Sequence, residues 1–560
     1  MRTTTRAAFA TLAAGLAALA IGACGGDEGG AGGEEKDTGP AAGGAIKKGG
    51  VVKLSHSSFP DYLDPALSYT VDGWQALHLA YPGLVTFKAE SGPGGAEVVP
   101  ALAEDLPEVS EDGKTYTFKM REGVTFSNGD PVRPSDFKGS IERLLEADSQ
   151  GAGLGFINIV GGEDFLKTKK GGVDGIEVDD ETGEVVIKLV ESRGAFLYEL
   201  AIPFAGIVPA DTPAKNQTKN PPPGAGLYQF EDVRINRGYT LVKNKSFAAE
   251  ALKDTPVAVG NPDRFDVSIL AEGVSTNQVA QGQLDFMVDN PVPDRVAEIK
   301  QKYPERFHQF ATPSSFYFFM NAEVPPFDDV KVRQAVNHAI DPNAINRVQG
   351  GVITEANTII PPGVPGHEDS PDLYPYDLNK AKALIQEAGA QGEEVTVWGN
   401  TENPTKPTVE YYADVLNSIG LKAEVKIVPG TVYFATVGDR SLKAQTGWAN
   451  WFQDYPHPAN FVDTLLNPRR VVATGNNNYS YNAKDTELAD KIDELAAEPE
   501  LTEDVQKRWA ELDREIQEKA YWAIYGNRKQ TTFFSERMNF EQCKGEHPTY
   551  THNWAQFCLK

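Results

Sequence analysis

Residues 377–428 read DLNKAKALIQEAGAQGEEVTVWGNTENPTKPTVEYYADVLNSIGLKAEVKIV, and this stretch decides the fold class. Asp377 can cap a helix that ends at Gly389. The apolar residues of that helix share one face: Ala381, Leu384, Ile385 and Ala388. A strand is predicted next, at Val395–Trp398.

A second helix follows that strand and stops near Gly420, and its apolar face is formed by Val409, Tyr412, Ala413 and Leu416. Leu421–Val428 is again a predicted strand. Helices and strands that alternate at these spacings predict a βαβ unit and a parallel sheet, so the C-terminal half contains an α/β lobe.

Outside this stretch, the first third of the chain is predicted to consist of strands joined by tight turns. Val51–Ser55 is a candidate buried strand. Two hairpins are expected, around Asp112-Gly113 and around Glu181-Thr182-Gly183. Two amphipathic helices are predicted, at Ser135–Leu145 and at Asp504–Gln517. The chain has 560 residues, which exceeds what one core usually covers, so two or three lobes are expected.

The N-terminus has the pattern of a secretory signal peptide over residues 1–23. Arg2 and Arg6 precede the uncharged run 7–21, which is too short to span a bilayer, and the small residues Gly22 and Ala23 lead to Cys24. This arrangement resembles the lipobox of bacterial lipoproteins, in which the Cys is lipidated and becomes the first residue. The alternative is an ordinary signal peptide followed by an unrelated Cys.

A flexible tether is predicted over residues 24–50. The segment Gly25–Gly50 holds 11 Gly in 26 residues and has almost nothing to bury. As a coil it would reach about 30 Å. The predicted location is therefore outside the cytoplasm, on the outer face of the bacterial cell membrane or its periplasmic side, with attachment through the lipid alone.

Cysteine content and charge limit the functional classes. Apart from Cys24, the chain has only Cys543 and Cys558, which would form a disulfide in an oxidising compartment; two free buried thiols are the alternative. The net charge is −26, and −28 once residues 1–23, with two Arg and no acid, are removed. Such an acidic surface argues against nucleic acid as a partner.

Catalytic and cofactor motifs are not found in the sequence. There is neither a G-x-S-x-G elbow nor an H-E-x-x-H pair, and Asp112-Gly113-Lys114-Thr115 fits a hairpin better than a phosphate loop. The eight His are scattered, and even His547 and His552 are not spaced to share a helical face. We therefore expect a protein that captures a ligand rather than an enzyme, with no metal and no cofactor.

Several segments, in order, resemble the family 5 extracellular solute-binding proteins, the oligopeptide and dipeptide receptors of ABC importers. The resemblance runs from about Val51 to Phe534. It rests on Leu63–Ala66, Pro100–Glu104, Asp112–Phe118, Arg121–Gly129, Ser135–Phe137, Pro223–Tyr228, Gly282–Asp285, Asn321, Pro326–Ala335 and Ala339–Asp341. Leu227 stands where the family usually has Pro.

The block Pro326–Ala335 also has a physical interpretation of its own. Asp328 and Asp329 would lie at the start of a helix, where their charge suits the helix dipole. Its buried stripe would be Val332, Val336, Ala339 and Ile340. Arg333 is expected to bridge to a carboxylate.

The resemblance implies an α/β fold of the periplasmic-binding-protein type II, a two-lobe clamshell with a hinge and an extra domain inserted in the first lobe. Lobe I would comprise residues 51–79, 224–311 and 525–560, the inserted domain 80–223, and lobe II 312–524. The chain would cross between the lobes near Thr312 and Tyr525, and these crossings would act as the hinge.

The candidate ligand site is the segment Gly447–Pro458, in which four aromatic residues surround one acid. Pro456 and Pro458 interrupt regular structure, so Asp454 is expected on a loop at the end of an element, where open α/β lobes bind ligands. By resemblance, Trp451 supplies an aromatic wall and Asp454 holds the α-ammonium of a peptide. The further candidate contacts are Trp448, Asn450, Tyr455, Trp398, Ser57, Ser58, Phe59, Phe316 and Tyr317.

The resulting functional prediction is a monomeric substrate-binding lipoprotein that captures peptides and delivers them to the permease subunits of an ABC transporter. His457 replaces an acid that is common in the family, so the same fold with an oligosaccharide, metal chelate or other solute is an alternative. A surface peptidase that uses an exposed acid pair, and a receptor that only signals, are two others.

Overall fold

The computed structural model describes residues 46–560 with the exception of Asn403. The predicted signal peptide, Cys24 and residues 25–45 of the predicted tether lie outside the described residues. The tether prediction is wrong for Gly49 and Gly50, because their N–H groups donate to the carbonyl oxygen of Asn261 at 2.6 Å and to Asp263 Oδ2 at 2.9 Å, next to strand β1. Residues 46–560 pack together as one unit.

Within this part of the chain, the strands are β1 (Val51–His56), β2 (Val85–Phe87), β3 (Val98–Pro100), β4 (Glu108–Val109), β5 (Thr115–Lys119), β6 (Ile176–Asp179), β7 (Glu184–Lys188), β8 (Tyr228–Arg234), β9 (Gly238–Lys243), β10 (Arg264–Ile269), β11 (Phe286–Met287), β12 (Phe307–Ala311), β13 (Ser314–Met320), β14 (Ile353–Thr354), β15 (Glu394–Asn400), β16 (Lys422–Val428), β17 (Thr446–Phe452), β18 (Trp522–Phe534), β19 (Glu546–His547) and β20 (Thr551–His552).

The α-helices are α1 (Val71–Ala80), α2 (Pro134–Glu146), α3 (Gly162–Thr168), α4 (Phe196–Leu200), α5 (Ala249–Leu252), α6 (Glu272–Ala280), α7 (Pro293–Lys302), α8 (Val330–Ala339), α9 (Pro342–Val348), α10 (Leu378–Glu387), α11 (Thr405–Ser418), α12 (Gly430–Val437), α13 (Val462–Leu466), α14 (Thr486–Ala496) and α15 (Glu503–Lys519).

The predicted βαβ unit is confirmed. The Asp377 carboxylate caps α10 by accepting hydrogen bonds from the backbone N–H groups of Asn379 and Lys380, at 2.9 and 3.0 Å. Strands β15 and β16 are parallel neighbours and α11 connects them. The helix packs on the sheet through buried residues such as Val409 and Tyr412, as its apolar face predicts.

A twelve-stranded mixed sheet runs through the molecule. Its main path is β16-β15-β17-β13-β18-β11-β1-β10-β9-β8, and β12 and β14 also pair with β18. The 13 residues of β18 pair with two groups of strands. Its first residues pair with β13, and its later residues pair with β12 and β11.

Two chain segments therefore connect the halves of this sheet, β18 and the step from β12 to β13. They are joined where the N–H and hydroxyl groups of Thr312 both donate to the carbonyl oxygen of Arg528, each at 2.9 Å. The amide of Asn527 donates to the carbonyl oxygen of Ser314 at 2.5 Å.

Three large hydrophobic clusters pack against these sheets. The 316–525 cluster lies around β13, β15, β17 and the helices next to them. The 66–252 cluster lies around a four-stranded antiparallel sheet, β4-β5-β7-β6, and α2, and Tyr455 and Tyr550 join it from distant parts of the chain. The 52–288 cluster lies around β1, β9 and β10 and includes Phe534–Leu559.

Both predicted hairpins and both predicted amphipathic helices are present, as β4–β5, β6–β7, α2 and α15. A disulfide joins Cys543 to Cys558, whose Cα atoms are 5.7 Å apart. It closes the segment that carries Trp554 and Phe557 into the 52–288 cluster. The alternative of two free thiols is therefore wrong.

Helix α8 has the predicted start, because the Asp329 side chain accepts the backbone N–H of Lys331 at 2.8 Å. Its predicted apolar stripe is buried. The expected bridge from Arg333 to a carboxylate is wrong. The Arg333 guanidinium donates instead to the carbonyl oxygens of Lys519 and Phe327, because α8 packs where these carbonyl groups need a donor.

Candidate functional site

The predicted ligand segment, Gly447–Pro458, comprises most of β17 and the turn that follows it. This strand pairs along its whole length with β13 and ends at Phe452. The next residue, Gln453, keeps the chain close to β13 through its N–H, which donates to the carbonyl oxygen of Pro313 at 3.2 Å. Asp454 then begins an irregular turn that leads to Pro458–Asn460, as Pro456 and Pro458 predict.

The Asp454 carboxylate is buried and held by neutral groups. The residue is 8% exposed. Asn460 donates from Nδ2 to Oδ2 at 2.9 Å, and its Oδ1 accepts the backbone N–H of Asp454 at 2.9 Å and the indole N–H of Trp451 at 3.0 Å. Asn460 thus fixes both residues of the predicted Trp-and-acid pair.

Burial raises the pKa of Asp454 to about 6, although hydrogen bonds from Asn460 and Tyr69 act in the opposite direction. The hydroxyl of Tyr69 donates this bond, because burial and the Asp454 charge hold the pKa of Tyr69 well above its ordinary value. Glu199 raises the pKa of Asp454 further, and no cation among the described residues offsets it. The carboxylate is therefore suited to pair with a positively charged group of a ligand.

A cavity of about 420 Å³ lies beside Asp454. One wall consists of Asn450–Asp454, and Phe434, Asn477 and Tyr479 extend it. The opposite wall consists of Tyr69, Thr70, Val71 and Trp74, at the start of α1. Tyr69 packs on the 66–252 cluster and Trp451 on the 316–525 cluster, so the cavity lies between two separately packed parts of the molecule.

Of the predicted contacts, Asp454, Trp451 and Asn450 line this cavity. The structure brings none of the following side chains to it. Trp448 is buried behind the wall and its indole N–H donates to the hydroxyl of Tyr525 at 3.0 Å. Tyr455 points into the 66–252 cluster. Trp398 lies under the ammonium of Lys426, which is 4.3 Å from its ring centroid.

The predicted contacts on other strands are also directed elsewhere. Tyr317 stacks on Trp522 with ring centroids 3.6 Å apart, and Phe316 packs edge-on to Phe452 within the 316–525 cluster. Ser57 binds the Asp289 carboxylate through its N–H and its hydroxyl, at 2.6 and 2.8 Å. Ser58 is exposed, and Phe59 packs against Tyr239.

His457 has a structural role. It is 1% exposed and lies edge-on to Tyr198 and Trp509, and its Nδ1 accepts the N–H of Ala459 at 3.1 Å. Burial lowers the pKa of His457 to about 3. A neutral imidazole therefore closes the turn after Asp454 and does not face the cavity.

Sequence reasoning missed the α1 wall and also Phe434, Gln453, Asn477 and Tyr479. Helix α1 is buried on several sides, so it has no polar face to reveal its period. A local signal was present, because Thr70 caps the helix by accepting the N–H of Gly73 and Asp72 follows in the first turn. No short-range pattern links Tyr69 to Asp454.

Residues 97–471, more than half of the chain, match the family model described as bacterial extracellular solute-binding proteins, family 5, middle part. The chain belongs to family 5 of the bacterial extracellular solute-binding proteins. The family resemblance seen in the sequence and the predicted fold class are confirmed.

Two named relatives each match more than two thirds of this chain. The dipeptide-binding protein of Escherichia coli (strain K12) is 29% identical over 411 residues, which cover 69% of this chain and 72% of that protein. Heme-binding protein A of Haemophilus influenzae (strain ATCC 51907 / DSM 11121 / KW20 / Rd) is also 29% identical, over 423 residues that cover 71% and 73%.

Among solved structures, the clavulanic acid biosynthesis oligopeptide binding protein 2 superposes with a TM-score of 0.80 at 23% identity. The match covers 88% of this chain and 92% of that one. It shows a shared fold. Among the described helices of this family 5 chain, none combines the length and apolar character needed to cross a bilayer.

Proposed function

We propose that this family 5 protein captures a peptide in the cavity beside Asp454 and delivers it intact to the permease of an ABC transporter. One observation carries the proposal: a buried carboxylate with neutral hydrogen-bond donors and no cationic partner among the described residues faces a cavity with an aromatic wall. A peptide α-ammonium would supply the missing charge, because a buried charge is stable only when it is paired.

Trp451 would form the wall against which the first residue of the peptide packs. Its ring is fixed by the bond to Asn460, so little side-chain entropy remains to be lost on binding. The charge of Asp454 favours peptides over anionic solutes such as a haem with its propionates. An uncharged sugar would leave the carboxylate unpaired.

The lobes predicted from the sequence remain a proposal. The 316–525 cluster supports a lobe II of residues 312–524, and the 66–252 and 52–288 clusters support an inserted domain and a lobe I. Thr312 and Arg528, where the two crossing segments are bonded together, are the proposed hinge. Cargo would stabilise the closed arrangement by contacting both walls of the cavity.

Membrane attachment is also a proposal. Cys24 would carry lipid and residues 24–48 would form the tether, since Gly49 and Gly50 are bonded to the folded body. The tether would hold a monomeric receptor near its permease on the outer face of the membrane. Export of the native protein followed by mass spectrometry of its first peptide tests this. A lipid-modified Cys24 is expected, and an unmodified or retained N-terminus would overturn it.

Calorimetry with alanine peptides of two to five residues and with their N-acetylated forms tests the proposed function. We expect binding of at least one free peptide and no measurable binding of its acetylated form, because acetylation removes the ammonium. Solution scattering should show a lower radius of gyration with the bound peptide. Failure of every free peptide to bind, or new peptide termini in mass spectra after incubation, would refute intact capture.

A further inference from the structure

The proposed inserted domain bonds to the end of α14, in the proposed lobe II, through its residues 192–194. The N–H of Gly194 donates to the carbonyl oxygen of Ala496 at 2.9 Å, and the hydroxyl of Ser192 donates to the carbonyl oxygen of Ala497 at 2.6 Å. These two bonds are the closing contact. Carbonyl groups at the C-terminal end of a helix have no donor within the helix, so the inserted domain supplies donors that α14 itself cannot provide.

An ion pair joins the same two parts of the chain beside the closing contact. Arg193 Nη1 lies 3.8 Å from Asp463 Oδ2. Each of these residues also has a nearer partner on its own side of the interface. Arg193 Nη2 lies 2.6 Å from Glu199 Oε1, and Arg470 Nη2 lies 2.9 Å from Asp463 Oδ2. Separation of the two sides would leave both charges paired, so the interface can form and separate without the penalty of an unpaired buried charge.

Gly194 is required by this contact and not by its own backbone conformation. A Cβ atom on Gly194 would lie 2.1 Å from the carbonyl oxygen of Glu498, a distance at which the two sides could not stay together. The φ angle of Gly194 is not in the left-handed region, so alanine could adopt the local conformation. The missing side chain therefore serves the approach of the inserted domain to lobe II.

The closing contact is separate from the peptide cavity. A cavity of about 730 Å³ lies beside the contact, lined by residues between 153 and 193 on one side and between 467 and 497 on the other. It shares no lining residue with the cavity beside Asp454. The two sides thus meet at a place that cargo in the peptide cavity does not touch.

We propose that the closing contact is a conformational device that favours the closed arrangement of the inserted domain and lobe II before cargo binds. This inference rests on the proposed hinge and peptide capture and deepens them. A protein binds its ligand more tightly when the binding-competent arrangement is more populated, and the gain is the same factor for every ligand. The closing contact therefore adds affinity for all cargo, whereas specificity comes from the cavity beside Asp454.

Gly194→Ala tests the closing contact, because its Cβ atom fits only if the inserted domain moves away from Glu498. Gly153→Ala is the matched control. Gly153 lines the same 730 Å³ cavity, its φ is also outside the left-handed region, and the Cβ atom it would gain has open space around it in the described chain. In solution scattering of the empty proteins, Gly194→Ala should have a larger radius of gyration than the wild type and Gly153→Ala.

Calorimetry with the alanine peptides of two to five residues that the wild type binds gives a second readout. In Gly194→Ala the affinity for each peptide should fall by the same factor, about tenfold, which is within the range for two lost hydrogen bonds. Gly153→Ala should bind each peptide as the wild type does. If Gly194→Ala does not fold, Ser192→Ala takes its place in both measurements; it loses one of the two bonds and should weaken each affinity about fivefold.

Equal radii of gyration for the three empty proteins would overturn the inference and leave peptide capture intact. The same conclusion follows if Gly153→Ala behaves as Gly194→Ala does, or if the loss of affinity is absent or differs between peptides. If the wild type binds none of the alanine peptides, the proposed function is refuted instead. In that case the radii of gyration of the empty proteins still decide whether the closing contact favours the closed arrangement.

Discussion

Replacement of Asp454 by Asn is expected to stabilise the empty protein and to weaken peptide binding. The substitution keeps the size and a carbonyl oxygen that can accept from Asn460 Nδ2, but it removes the charge. In the empty protein this charge is buried without a cationic partner in the described chain. The same property that suits Asp454 to an ammonium therefore reduces stability when no ligand is bound.

The size of the stability effect follows from the pKa. Burial raises the pKa of Asp454 from 3.8 to about 6, so the folded protein binds the proton more tightly than the unfolded chain does. This contribution favours folding below pH 3.8 and is lost as the pH rises through 6. At pH 8 the stability lost by ionising the buried Asp454 is about 3 kcal/mol, and the Asn variant would recover it. At pH 4 the loss is less than about 1 kcal/mol.

The effect on binding should have the opposite sign. Removal of one partner of a buried charge pair costs about 2–5 kcal/mol, so peptide affinity should fall at least about 30-fold. Urea unfolding at pH 8 and pH 4 measures the stability of the empty protein, and calorimetry at pH 8 measures the affinity.

Asp463→Asn is the matched control, because Asp463 is equally buried but paired. Arg470 Nη2 lies 2.9 Å and Arg193 Nη1 lies 3.8 Å from Asp463 Oδ2. Burial alone would raise the pKa of Asp463, but these two guanidinium groups outweigh it and the pKa is lowered. This variant should lose several kcal/mol of stability at pH 8. If Asp454→Asn also loses stability at pH 8, or if its peptide affinity is unchanged, the reasoning about Asp454 is refuted.

Three further predictions concern stability. His552 is fully buried, and burial lowers its pKa from 6.5 to about 3, so its contribution to folding stability is present above pH 6.5 and is lost as the pH falls. The His552→Leu variant should therefore lose about 2 kcal/mol less unfolding free energy between pH 7 and pH 5 than the wild type does. Equal losses in the two proteins would contradict this. Arg143 Nη2 lies 2.6 Å from the buried Asp64 carboxylate, so Arg143→Met should destabilise the protein by about 3–5 kcal/mol in urea unfolding. The control Lys167→Met removes one partner of an exposed ion pair and should change the stability by less than about 0.5 kcal/mol. Reduction of the disulfide, whose cysteines are 15 positions apart, should lower the unfolding free energy by about 3 kcal/mol. In the Cys543→Ser/Cys558→Ser control, reductant should leave the unfolding free energy unchanged. An unchanged urea midpoint of the reduced wild-type protein would show that the loop constraint does not stabilise the fold.

Local pattern predicted much of the secondary structure. The caps at Asp377 and Asp329 and the apolar faces of α10, α11 and α15 act over a few residues, so they are readable from the chain. The same reasoning failed for α1, because a helix buried on several sides has no polar stripe. It also failed for Arg333, because the choice between a carboxylate and a carbonyl partner depends on what packs beside α8.

The candidate site was only partly predictable. The clustering of aromatic residues around one acid identified Asp454, Trp451 and Asn450, and the prolines predicted the loop that holds the acid. Trp448 and Tyr455 belong to the same segment, yet their rings are buried in the interior. Trp448 lies within β17 and Tyr455 in the turn after it, and in both places the neighbours in space decide whether the side chain faces the cavity or the interior.

The chain alone was sufficient for the α/β class, the family and the identity of the one acid in the aromatic segment, since composition, helix period and motif order are all properties of neighbouring residues. The opposing wall from α1 and the raised pKa of Asp454 became visible only in the folded molecule. Desolvation and hydrogen-bond geometry depend on groups that are distant in the chain, and long-range packing alone brings those groups together.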